Sequence, residues 1–169
     1  MEPKKITMNG LAVSVVGKAI KRGDKAPDFK LVGNALELVQ KSDFDGKVLL
    51  ISCVPSLDTP VCSVETRRFN LEADKLSDDV VVLTVSRDLP FAQTRWCAAN
   101  GVKNVKTASD YRNFGFAQDY GVLLEDLGLL TRAVFVIDKK GLVQYVEFVP
   151  EVTHEPDYKT VLTEVQKCL

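Results

Sequence analysis

The sequence contains no Cys-x-x-Cys pair, only one histidine, and no block of five or more charges of one sign. Without paired cysteines or a second histidine, a zinc site with the usual Cys and His ligand spacings is not expected. A cysteine hydrolase would need His154 as its base, yet this residue lies in the loop-like run Thr153-His154-Glu155-Pro156, where it is expected to face solvent. Lys and Arg total 22 against 23 Asp and Glu, a balance that gives no support to a nucleic-acid or anionic-membrane partner. No apolar stretch approaches the roughly 20 residues needed to span a bilayer. Lys4 and Lys5 precede fairly apolar sequence, as in a secretory signal, but Thr7, Asn9, Gly10 and Ser14 interrupt it. The expectation is a soluble cytoplasmic protein in a reducing compartment, where cysteines more often do chemistry than hold loops.

The chain has 169 residues, 46% of them hydrophobic and 27% charged, and no repeat or long linker divides it. One domain spanning residues 1–169 is expected, with residues 1–17 as an N-terminal hairpin extension. A chain of this size buries roughly 70% of its unfolded surface and needs no disulfide staple. Asn9-Gly10 between residues 6–8 and 11–16 predicts a hairpin, since this dipeptide accepts the positive φ values of a tight turn. A second strand pair is expected at 29–32 and 36–39 around Gly33-Asn34. The run V-L-L-I-S-C-V at 48–54 reads as a central strand covered on both faces. It is followed by a helix at 60–76, a second buried strand at 80–85, and a short helix at 90–100 that stops at Gly101. Strand, helix, strand, helix implies parallel pairing with right-handed crossovers. A closing hairpin at 133–137 and 142–149, then an amphipathic helix at 157–168, complete the expected order.

The four cysteines are Cys53, Cys62, Cys97 and Cys168, separated by 9, 35 and 71 positions. Cys62 stands out because Thr59 can be an N-cap and Pro60 a first helical residue, which makes Cys62 the third helical position. Free backbone N–H groups and the positive end of the helix dipole favour an anion there, and so a thiolate. Cys62 also shares a helical stripe with Phe69, Ala73 and Leu76, so it reads equally as a small core residue; partial burial would limit access to small oxidants. On the short helix, Phe91, Ala92, Trp96, Ala98 and Ala99 are expected on the core side, with Cys97 on the other side among Gln93 and Thr94. A chance surface cysteine fits this position as well. Arg132, directly before an apolar strand, reads on its own as an ordinary strand-end charge, and Cys53 as a buried strand residue.

Several motifs together are more specific. They are Ala26-Pro27-Asp28-Phe29, Asp58-Thr59-Pro60-Val61-Cys62, Asp88-Leu89-Pro90-Phe91-Ala92-Gln93 with a cysteine four residues later, and Glu155-Pro156-Asp157-Tyr158. With these the chain resembles, from about Gly17 onward, the bacterial thiol peroxidases, a group of atypical two-cysteine peroxiredoxins. The resemblance implies an α/β thioredoxin-like fold with a mixed central sheet, flanking helices and the N-terminal hairpin. It implies Cys62 as the peroxidatic cysteine and Cys97 as its resolving partner in an intramolecular redox-active disulfide. Thr59 would be the hydroxyl of the catalytic motif and Arg132 the active-site arginine. It further implies a hydroperoxide substrate, thioredoxin as reductant, a homodimer, and no metal, flavin or haem cofactor.

Those roles are chemically coherent. Attack of sulfur on a peroxide oxygen requires a thiolate, an oriented O–O bond and stabilisation of the departing oxygen. A general thiol-disulfide oxidoreductase on the same fold is weakened because Thr59 occupies the place of the first cysteine of a Cys-x-x-Cys. A non-enzymatic peroxide sensor, which would be oxidised stoichiometrically without turnover, is the other alternative.

Overall fold

The computed structural model describes residues 4–169. In chain order, β1 (Ile6–Met8), β2 (Leu11–Val13) and β3 (Val15–Val16) precede the strands β4 (Lys30–Gly33) and β5 (Leu38–Gln40). Next come β6 (Val48–Cys53), α1 (Pro60–Ala73), β7 (Val80–Ser86), α2 (Pro90–Asn100) and β8 (Val105–Ser109). The chain closes with α3 (Gly115–Asp119), β9 (Leu123–Leu124), β10 (Leu129–Leu130), β11 (Ala133–Ile137), β12 (Val143–Phe148) and α4 (Tyr158–Lys167). Seven strands form one mixed sheet in the order β12-β11-β6-β7-β8-β4-β5, with β6, β7 and β8 parallel. The thioredoxin-like expectation of a mixed sheet with flanking helices is met.

Every residue of β6 is buried, as its unbroken apolar run requires of a strand covered on both faces. Val48, Leu50 and Val54 face a core with Phe69 of α1, Trp96 of α2 and Val161 and Val165 of α4. Leu49, Ile51 and Cys53 face the opposite core, built around Phe29, Phe116, Tyr120 and Phe135. There Phe116 and Tyr120 stack at 4.5 Å, while Phe135 meets Tyr120 edge-on at 5.2 Å. The strict alternation along β6 therefore places Cys53 and Cys62 in different cores, on opposite sides of the sheet.

The structure departs from the sequence expectations at identifiable points. The arm expected at 11–16 breaks at Ser14: β2 pairs with β1, whereas β3 turns away to pair with β9. The second hairpin lies one to two residues later than expected, because its turn runs through Leu36 at φ 65. Helix α1 ends at Ala73 rather than residue 76. Strand β8, V-K-T-A-S, lacks an apolar run, and helix α3 has only five residues, so neither announces itself in the pattern.

The N-terminal hairpin is fastened by one carboxylate. Glu151 accepts from the Thr7 hydroxyl at 2.7 Å, from the N–H groups of Asn9 and Gly10, and from the Thr153 hydroxyl. These donors hold its carboxyl well below the usual range, the Thr7 contact first among them. Flanking Glu151, the Thr7 N–H donates to the Pro150 carbonyl and the Val152 N–H to the Thr7 carbonyl, each at 2.8 Å.

Gly17 and Gly121 bring two backbone segments together: a Cβ at Gly121 would lie 2.0 Å from the Lys18 carbonyl oxygen. Gly128 has the same left-handed φ of 62°, but a Cβ there meets nothing within 4 Å. Gly128→Ala is expected to cost about 1–2 kcal/mol, the left-handed penalty alone. Gly121→Ala is expected to cost at least about 2 kcal/mol more, because backbone must also move. Urea unfolding followed by Trp96 fluorescence measures both, and equal losses would show that the Lys18 contact relaxes freely.

Candidate active site

The site forms where β6 runs out and α1 begins. Thr59 is the N-cap, with φ −100° and ψ 148°, and Pro60 occupies the first helical position, so Cys62 is the third helical residue as expected. The Thr59 hydroxyl does not cap the helix. It donates backwards to the Ser56 carbonyl at 2.8 Å, leaving the N–H groups of the first turn free of this side chain. Cys62 is fully buried, at 0% exposure. The stripe it shares with Phe69, Ala73 and Leu76 packs into one core, so it is a core residue and a helix-terminus thiol at once.

Arg132 reaches the same point from β11. This strand runs antiparallel to β6 with Ala133 opposite Cys53, and Val134 and Val136 face the core that contains Cys62. Period-two alternation puts Arg132 on that face too, one step beyond the strand end. It is not an ordinary strand-end charge: the side chain is enclosed, at 1% exposure, and three of its nitrogens have acceptors. Nη2 donates to the Cys62 sulfur at 3.1 Å, Nε to the Val152 carbonyl at 2.8 Å, and Nη1 to Glu65. The Ser52 hydroxyl of β6 donates to the other Glu65 oxygen at 2.8 Å. Burial pushes the Glu65 carboxyl up, against the pull of Arg132 and Ser52. Burial also opposes the Arg132 charge, but Glu65 and the Cys62 sulfur more than offset it, and the guanidinium stays a cation.

Glu65 and Ser52 complete this buried cluster, and the sequence expectations single out neither. The signal was present: Glu65 lies three positions after Cys62, between Cys62 and Phe69 on the buried stripe, and a carboxylate there requires a partner. Val152 could not have been found this way, because it contributes only its backbone carbonyl.

Cys97 is half-buried on α2 and packs against the edge of the Cys62 core. Its sulfur lies 3.7 Å from the Thr107 hydroxyl of β8, which donates to the Asn34 side chain. Burial raises this thiol, partly countered by Thr107. Of the apolar face expected on α2, only Trp96 is buried. Pro90, Gln93 and Trp96 are buried, while Phe91 is 66% exposed and Ala98 and Ala99 are exposed. Gln93 takes the inward place because its amide donates to the Ser86 hydroxyl and the Ala108 carbonyl, both at 3.0 Å, joining the ends of two strands. Cys53 is buried in β6, and burial, with Glu65 and Asp110 adding, keeps it a thiol. Cys168 sits at the far end of α4, and His154 is exposed. All four cysteines are free. Among the described residues, no group of three or more His, Cys, Asp or Glu could hold a metal ion, and no helix is long and apolar enough to cross a membrane.

The sequence profile of the Redoxin family matches residues 21–162. A thiol peroxidase of Oceanobacillus iheyensis is 51% identical over 162 residues, covering 96% of this chain and 98% of its own length. The thiol peroxidase of Bacillus subtilis is 51% identical over 154 residues, covering 91% and 92%. Among solved structures, a peroxiredoxin-like protein from Aquifex aeolicus superposes with a TM-score of 0.92 at 42% identity, covering 98% of each chain. A thiol peroxidase from Chromobacterium violaceum shares the fold with a TM-score of 0.87 at 22% identity, covering 99% of this chain and 98% of that one. With the profile spanning most of the chain and relatives at this identity over nearly their full length, the protein belongs to the Redoxin family.

Proposed function

We propose that this protein is a thiol peroxidase in which Cys62 reduces a hydroperoxide and Cys97 resolves the product. The carrying observation is the guanidinium of Arg132 donating to the Cys62 sulfur at 3.1 Å inside a closed core. Arg132 has donors only, so the sulfur must accept, and a thiolate accepts more strongly than a thiol. The Cys62 thiolate attacks one peroxide oxygen in line with the O–O bond. The S–O bond forms as the O–O bond breaks, and the departing oxygen leaves as water or alcohol after gaining a proton. Arg132 and Thr59 are suited to orient the peroxide and to offset charge on the departing oxygen. The sulfur is oxidised to a sulfenic acid. Cys97 then attacks it, forming the disulfide and releasing water. A thioredoxin dithiol supplies the two electrons that restore both thiols. The protein works in this reading as a cytoplasmic homodimer.

The geometry favours Cys97 over the other cysteines. Cys53 lies across the sheet, and Cys168, although it too borders the Cys62 core, does so near the end of the sheet where Asp138 follows β11, opposite the end that holds Arg132. The two sulfurs still have to travel. Ser52, Thr84 and Thr107 are register neighbours on β6, β7 and β8, with Glu65 bonded to the first and Cys97 beside the last. Two strand spacings amount to about 9.6 Å, and Cys62 lies a helical turn away from Glu65. A disulfide needs Cα atoms within about 7 Å, so the first turn of α1, α2 or both must unwind.

Cys62→Ser is expected to abolish turnover in a coupled assay of peroxide-dependent NADPH oxidation with thioredoxin and its reductase, while the fold is retained. Near-normal turnover would end the proposal. Arg132→Lys is expected to lower kcat/KM at least about 100-fold, since a point charge cannot meet three acceptors in fixed directions. An unchanged value would remove Arg132 from the chemistry. Glu65→Gln keeps the shape but loses the charge that fixes Arg132, and about a tenfold loss of kcat/KM is expected.

One equivalent of peroxide is expected to give a Cys62–Cys97 disulfide by non-reducing peptide mapping. Cys97→Ser is expected to consume that first equivalent, accumulate sulfinic acid at Cys62 and lose turnover. A disulfide to Cys53 or Cys168, or normal turnover in Cys97→Ser, would overturn the assignment of Cys97.

A further inference from the structure

The motif residue Asp88 has no part in the chemistry described above, yet it is the junction between the two cysteine-bearing elements. Its Oδ1 accepts from the Ser56 hydroxyl at 2.6 Å, and its Oδ2 from the Leu57 N–H at 2.9 Å and the Ser86 hydroxyl at 2.7 Å. Ser56 and Leu57 belong to the loop that enters α1, and the Ser56 carbonyl in turn receives the Thr59 hydroxyl at 2.8 Å. Asp88 itself stands two residues before Pro90, the first residue of α2. Its own carbonyl is held by the Ser109 hydroxyl, and the Ser86 hydroxyl is held by Gln93 of α2. One acceptor-only group thus fixes the approach to Cys62 and anchors the start of the helix that carries Cys97.

We propose that Asp88 is a positioning residue that ties the Cys62 loop to the start of α2, favouring peroxide attack and restraining disulfide formation. This rests on the thiol-peroxidase reading and adds to it a control over the order of steps. Peroxide attack needs Thr59 and Cys62 held in place, and Thr59 is placed through Ser56 by Asp88. Disulfide formation needs α1 and α2 to separate from this arrangement. The two bonds from Ser56 and Leu57 therefore help the first step and hinder the second, and they set how long the Cys62 sulfenic acid is open to a second peroxide.

Asp88→Asn preserves shape, but its amide offers one acceptor oxygen where the carboxylate offers two, so one of the two loop donors, the Ser56 hydroxyl or the Leu57 N–H, loses its acceptor. The test is stopped-flow fluorescence of Trp96, the one tryptophan, which is buried beside Cys97 on α2. Hydrogen peroxide is the oxidant, and sulfinic acid at Cys62 is quantified by mass spectrometry. Asp88→Asn is expected to slow the peroxide-dependent phase about tenfold and to speed the peroxide-independent, disulfide-forming phase by a similar factor. Sulfinic acid per turnover falls accordingly. Ser56→Ala, which removes one donor and leaves the carboxylate, is expected to move both rates in the same directions by about threefold; it decides the matter where Asp88→Asn loses the fold. A merely structural role slows both phases together, and an idle residue changes neither. Either result, in a protein whose wild type forms the Cys62–Cys97 disulfide, overturns the role of Asp88 alone. Peroxide consumption by the wild type without that disulfide overturns the underlying reading and this proposal with it.

Discussion

The guanidinium of Arg132 is a cation with almost no solvent contact, and the elements around it are arranged so that three of its N–H edges meet acceptors. A lone buried charge of this kind would cost several kcal/mol. Glu65 offsets that cost and is itself steadied by Ser52, so the charge is held in place by an ion pair rooted in both α1 and β6. The Cys62 sulfur takes a third donor, on Nη2. Because the fork is planar, the directions of all three bonds are coupled. Any shift of α1 relative to β11 disturbs the sulfur and the carboxylate together.

The sheet supplies the precision that this coupling demands. Antiparallel pairing of β11 with β6 brings Arg132 to the end of β6 from which the chain enters α1. Parallel pairing of β6 with β7 brings the exits of both strands to the same edge, where Asp88 can bridge them. The third acceptor, the Val152 carbonyl, is positioned from outside the sheet: its N–H is bonded to the Thr7 carbonyl, and Glu151 next to it fastens the turn of the N-terminal hairpin. The hairpin is thus part of the support for Arg132, although it lies far from Cys62 in the chain.

What was legible in the sequence follows from this division. The central strand, the helix start at Thr59-Pro60 and the stop at Gly101 are local features, and each is where its residues predict. The placement of Cys62 at the third helical position followed from them. Arg132 in isolation was ambiguous, because nothing local distinguishes a buried strand-end arginine from an exposed one; only the family resemblance singled it out. Glu65 was readable in principle from its place on a buried stripe. On α2 the apolar pattern points to Phe91, Ala98 and Ala99 beside Trp96, yet only Trp96 of these is buried. The strand ends needed an amide donor instead, and that need arises only once β7 and β8 lie side by side.

The polar inner face of α2 also bears on how, in the proposed mechanism, the buried Cys62 sulfur meets Cys97. Helix α4 closes its part of the core with Val161 and Val165, both wholly buried, and begins with an Asp157 side-chain cap. Helix α2 has no side-chain cap, exposes Leu89 and Phe91 at its start, and buries only Pro90, Gln93 and Trp96. Gln93 binds by hydrogen bonds, which an opened helix can remake with water at a net loss of about 1 kcal/mol each. Loop closure adds little resistance, since its cost grows only logarithmically with the 35 positions between the cysteines. On the proposed mechanism, α2 is the more weakly held of the two helices, since it rests chiefly on Trp96, Pro90 and polar bonds. Opening α2 exposes Trp96 and Pro90 but little other apolar surface, and in the proposed mechanism the Cys62–Cys97 disulfide would hold the opened state until it is reduced.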